Sequence, residues 1–170
     1  MKVTQIEAVA LTKAVLALVA EAYDEAADPR ATWFTDNEPK NGVLGTVESL
    51  SAEEASCPLS SGDPISAASH VEHLRFSLSL ANRALRGENP YKGVHWSSSW
   101  SVKKVDAGTW KTLLASLRSE YEALREVLAT GAGWSDEDTM TGVFGTIAHG
   151  AWHLGALRQG LGKVRSPASA

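Results

Sequence analysis

One cysteine in 170 residues, Cys57, leaves no partner for an internal disulfide, so the chain has no need of an oxidising compartment. That cysteine reads as a lone structural or surface thiol. Positive charge is not in excess either: 16 Lys and Arg against 20 Asp and Glu give a net charge of −4, which argues against a nucleic-acid-binding surface. Long apolar runs are missing. The least charged stretch, residues 140–157, carries too much Gly, Thr and His for a membrane span. Near the start, the apolar residues 14–20 are flanked by Glu7, Lys13, Glu21, Asp24 and Glu25, which suits an amphipathic helix better than a signal peptide. No phosphate-cradling glycine loop, dinucleotide fingerprint, Gly-x-Ser-x-Gly elbow, internal repeat or low-complexity segment occurs. These absences predict a cytoplasmic protein with neither a nucleic-acid nor a membrane partner.

What remains is an ordinary globular composition, 44% apolar and 21% charged. Its length suits one domain, taken as residues 1–163 with a frayed tail over 164–170. Four long helical patterns dominate, with no comparable alternating strand signal, so the expected class is all-α with long connections. The first covers residues 4–27, where Leu11, Val15, Leu18 and Ala22 form an apolar stripe, and it ends before Asp28-Pro29. Ser51 and Glu54 form a capping-box pattern, and residues 57–64 read as a loop. The second long helix spans 65–86 and stops at Gly87, with Glu72, Arg75, Ser79, Arg83 and Arg86 along its polar side. The third opens near Asp106 and carries Trp110, Leu113, Leu114, Leu117, Tyr121, Leu124 and Leu128. The fourth follows the acids of residues 136–138 and runs to about residue 160. Four such helices describe a four-helix bundle, a fold that builds metal sites from facing helices.

His149 and His153 stand four residues apart in the uncharged stretch, so both project from one face of the fourth helix. A helix with no charge over that length is expected to be buried around most of its circumference. Buried imidazoles need partners, since an unpaired buried polar group costs roughly 1–3 kcal/mol, and a shared divalent ion satisfies two at once. Gly142, Gly145, Thr146, Ala156 and Gly160 flank the histidine stripe, leaving room for a neighbour or ligand, while Val143, Ile147, Leu154, Leu157 and Leu161 form a core arc. His70 and His73 face inward on the second long helix. One of them with the later pair makes a three-ligand set, which leaves an open position for water or substrate. The pattern is not the H-E-x-x-H of metalloproteases, because Gly150 stands where the glutamate would be, and no catalytic base is built into it.

Two segments resemble the DinB/YfiT-like superfamily of metalloproteins: Ser66-Ala-Ala-Ser-His70-Val-Glu-His73-Leu, and His149-Gly-Ala-Trp-His153-Leu-Gly155. The resemblance covers nearly the whole chain in the order of its helices. It implies an up-down-down-up four-helix bundle, frequent homodimers, and a divalent ion on His73, His149 and His153. The ion would be zinc or nickel, with manganese or iron as alternatives. His70, one turn earlier, then lies beside the ligands, contacts substrate or is a plain core residue. Ala156 and Leu157 depart from the polar residues that often follow the family's glycine. Some relatives are transferases or isomerases that use a low-molecular-weight thiol, which implies a small-molecule substrate and an ion that activates a thiol or water for transfer, isomerisation or hydrolysis.

Trp96 and Trp100 lie in the long connection 89–104, either as an aromatic rim over the site or as a plug for the end of the bundle. His95 belongs to the same loop and is not needed for the triad. Two other readings stay open: a noncatalytic metal-binding or stress-associated dimeric scaffold, and a metal-free helical protein with four core histidines.

Overall fold

The computed structural model describes residues 7–165 and is mostly helical. The expected start of the first helix at residues 4–6 lies outside the described residues, as do residues 166–170 of the expected tail. The long helices are α1 (Ala8–Tyr23), α4 (Ala67–Leu85), α5 (Ala107–Ala129) and α6 (Glu137–Arg165). Short helices α2 (Val43–Glu48) and α3 (Ala52–Ala55) follow α1, and a two-stranded hairpin, β1 (Pro58–Ser60) and β2 (Asp63–Ser66), precedes α4. Among the described residues no helix is long and apolar enough to cross a membrane.

α1 ends at Tyr23, four residues before the expected point. There the Asp24 N–H closes the last turn on Ala20 O, and the Asp24 carbonyl accepts from Gly42 N at 2.8 Å, which turns the chain away. The same turn is anchored by Glu21, which is 2% exposed. One of its carboxylate oxygens accepts from the backbone N–H groups of Trp33, Phe34 and Thr35 at 2.6, 2.7 and 2.9 Å, and from the Thr35 hydroxyl. A buried carboxylate is tolerable only with such a set of donors.

Residues 57–64 were expected to be a loop, with helix from Ile65. The chain instead makes an antiparallel hairpin whose turn holds Gly62 at φ 82°, and Ile65 belongs to β2. The helix waits for Ser66, whose hydroxyl accepts from the Ser69 N–H while the Ser69 hydroxyl takes the Ser66 N–H. At its other end α4 stops as expected, with Gly87 at φ 86°.

α5 is capped by Asp106, which accepts from Thr109 N at 2.7 Å, and buries Trp110, Leu113, Leu117, Tyr121, Leu124 and Leu128 as its periodicity predicts. α4 packs between α5 and α6, and α1 packs on α6 and α5, around one shared apolar core. α6 contributes the predicted arc of Val143, Ile147, Leu154, Leu157 and Leu161. It is not buried around most of its circumference, however: Gly142, Gly145, Ala148 and Gly155 are exposed, and so are Phe144 and Trp152, at 44% and 62%. The absence of charge over residues 140–157 reflects a face of small and aromatic residues open to a cleft and to solvent, not complete enclosure.

Candidate metal centre

The N-terminal half of α4 and the middle of α6 lie side by side, and three imidazoles meet across the gap. His149 Nε2 is 3.1 Å from His73 Nε2 and 2.9 Å from His153 Nε2. One ring nitrogen from each of the three lies within 4.8 Å of the others. Nitrogens bound to a common zinc-like ion at about 2.0–2.1 Å, at tetrahedral to octahedral angles, stand about 2.8–3.4 Å apart. The two separations from His149 fall in that range, and the three side chains could hold a shared divalent ion.

Hydrogen bonding behind the rings decides which nitrogen faces inward. The Ser99 hydroxyl donates to Trp96 O at 2.7 Å, so toward His73 Nδ1, also 2.7 Å away, it acts as an acceptor. His73 therefore carries its proton on Nδ1 and turns an unprotonated Nε2 to the centre. His153 Nδ1 meets His70 Nδ1 at 2.7 Å, and a proton on the His153 side of that bond likewise frees His153 Nε2. Such outer partners orient ligands and fix their tautomers. Of the inward-facing histidines, His70 is thus the one that stands behind the triad, and His73 is the one in it.

The electrostatics favour neutral rings. Burial lowers the pKa of His70 to about 4, with Asp63 opposing and Lys103 adding to the shift. Burial, then the neighbouring His149 and His70, lower His73 to about 4. His153 falls to about 2 through burial and the three other imidazoles, and burial also lowers His149. Neutral imidazole is the form that binds metal. Since the unfolded chain binds these protons near pH 6.5, folded-state stability is full above that value. It is lost as pH falls from about 6.5 through 4, by about 1.4 kcal/mol per pH unit for each extra proton the unfolded chain binds. Denaturant titrations of metal-free protein at pH 7.5, 6, 5 and 4 are expected to show this decline; a flat profile would contradict neutral buried rings.

The wall is aromatic. Trp100 stacks on His73 with ring centroids 4.1 Å apart and also touches His70 and His153 edge-on or tilted. Trp96, 45% exposed, stands at the rim, 6.3 Å from His73. The 3-10 helix Trp96–Trp100 that carries both is tied to the start of α4: the Ser66 hydroxyl donates to Lys103 O at 2.8 Å and the Ser69 hydroxyl to Val102 O at 2.6 Å. A cleft of about 340 Å³ opens on the centre beside His73 and His149, lined in part by Ser77, Gly145 and Thr146. Gly142 lines it as well, but Ala156 and Gly160, grouped with these small residues from the sequence, lie farther along α6 and line a separate hollow with His70 and Trp100. His95 is exposed and outside the cluster.

Sequence reading missed Ser99. A serine between two tryptophans in a loop carries no signal of its own, and only the fold brings it to His73. Ser99→Ala is expected to weaken zinc affinity by about 10–100-fold while Ser98→Ala, whose hydroxyl donates to His95 O, leaves it unchanged. Competition titration against a chromophoric chelator reads the difference.

No family model, curated protein or solved structure matches this chain.

Proposed function

We propose that this chain is a cytoplasmic metalloenzyme of the DinB/YfiT-like kind, an up-down-down-up four-helix bundle working as a homodimer on a small-molecule substrate. One divalent ion, zinc or nickel before manganese or iron, would be held by His73, His149 and His153. The observation that carries this reading is the convergence of three imidazoles, with His149 Nε2 at 3.1 and 2.9 Å from the Nε2 atoms of His73 and His153, in surroundings whose burial favours the neutral rings. When bound, the ion supplies Lewis acidity that activates a thiol or water, or polarises a carbonyl, for transfer, isomerisation or hydrolysis. The chain's own part is positional. Ser99 and His70 hold two of the rings in register, Trp100 keeps water from their rear, and the cleft beside His149 admits the substrate.

A noncatalytic metal-binding scaffold is the second reading, and one observation favours it: among the described residues no Asp or Glu lines the cleft to stand ready as a base. For the dimer, the exposed Phe144 and Trp152 on the uncharged face of α6 offer an apolar contact. Metal-loaded, untagged protein assayed with low-molecular-weight thiols and electrophiles, and with ester substrates, separates the two readings. Turnover that disappears on chelation and returns with metal supports the enzyme. A saturated metal site with no turnover across the panel supports the scaffold.

A further inference from the structure

A second cavity, about 460 Å³, lies between α4, α5 and α6 and within the range of about 300–1,000 Å³ typical of small-molecule sites. It shares Ala81, Tyr91, Gly142 and Thr146 with the cleft that exposes His73 and His149. Its inner wall is apolar, made by Leu85, Leu124, Leu128 and Val143. Among the described residues neither hollow is lined by Lys or Arg, and the carboxylates that line them are Glu88, already paired with Arg83, and Asp138. Between the triad and this cavity stands Ser77, one turn beyond His73, whose hydroxyl is buried with no hydrogen-bond partner. An orphaned buried hydroxyl is costly unless something supplies its bond.

Taking the metal-centre reading as its base, we propose that this cavity seats the body of the substrate. The substrate is then a neutral or cationic molecule with an elongated apolar body and a metal-ligating head, its first polar atom past the head meeting Ser77. The apolar wall favours aliphatic or aryl-alkyl bodies. With Arg83 already engaged by Glu88 and Asp138 on the rim, no unpaired cation among the described lining residues is there to receive a carboxylate at the far end.

Two titrations test this. In metal-free protein, 1-octanol is expected to shift the methyl NMR signals of Leu85, Leu124, Leu128 and Val143 saturably. In zinc-loaded protein, octanohydroxamate is expected to bind at least about tenfold tighter than acetohydroxamate, since burying two or more methylenes is worth that factor. The same chain ending in a carboxylate, the monohydroxamate of suberic acid, should lose that gain. Gly142→Leu should abolish both the octanol shifts and the chain-length gain. A Cβ at Gly142 meets nothing within 4 Å, and leucine is the better helix former, so the variant is expected to melt no lower than wild type. Octanol shifts that are absent, or unchanged in Gly142→Leu, overturn the proposal. So does equal affinity for the two hydroxamates, which leaves the metal reading standing because the head group still binds. If zinc is not taken up at all the metal reading fails instead, and the octanol titration still decides the cavity.

Discussion

His153→Ala protein, reconstituted with zinc and dialysed, is expected to retain less than about a tenth of the metal held by wild type, which should carry about one ion per chain. The residue is 1% exposed and uses both ring nitrogens, toward His149 on the site side and toward His70 behind. Its removal takes one of three ligands and strands the His70 Nδ1 in the interior. Two remaining imidazoles do not make the three-ligand set of a resident zinc site. His70→Ala should behave differently: the triad survives, but the orienting partner of His153 is gone, so affinity falls by about 10–100-fold and stoichiometry recovers at saturating zinc. His95→Ala should change neither quantity. Metal analysis on untagged protein gives all three results, and full occupancy in His153→Ala would place the ion elsewhere.

Gly150→Val is expected to destabilise the fold by about 2–3 kcal/mol, with or without metal. A Cβ at this position would stand 2.6 and 2.7 Å from ring carbons of Tyr23 and 2.9 Å from its hydroxyl oxygen. Tyr23 is fully buried, lies against Tyr121 with ring centroids 6.0 Å apart, and cannot retreat. Replacing a helical glycine by β-branched valine gains only roughly 0.3–0.5 kcal/mol of helix propensity, which offsets little of the clash. Chemical denaturation monitored by circular dichroism reads the change, and a midpoint equal to wild type would mean that α1 and α6 are not packed as described. The same contact explains a feature of the motif. Between the two α6 histidines a glutamate side chain at position 150 would be driven into Tyr23, so the metalloprotease pattern has no room here.

The long helices were legible because their signals are local. The α5 stripe from Trp110 to Leu128 repeats at helical spacing, and Ser51, Asp106 and Gly87 mark ends through short-range capping. The hairpin before α4 escaped notice because its strands are three and four residues long, too short for alternation to show. The uncharged face of α6 misled for another reason: absence of charge reports what a face avoids, and a cleft avoids charge as readily as a core does. Of the candidate site, the α6 pair was visible from its spacing alone. Local pattern put both His70 and His73 on the inner side of α4 and could not choose between them. That choice depends on packing between residues 76 positions apart, and on Ser99, which reaches His73 only because Ser66 and Ser69 tie the tryptophan segment to α4.

X-ray absorption at the zinc edge of untagged, zinc-loaded protein tests the shared ion most directly. Convergence of His73, His149 and His153 predicts three imidazole nitrogens at about 2.0–2.1 Å, with the outer-ring scattering of histidine. A first shell of oxygen atoms lacking that scattering, or one containing the Cys57 sulfur, would contradict it.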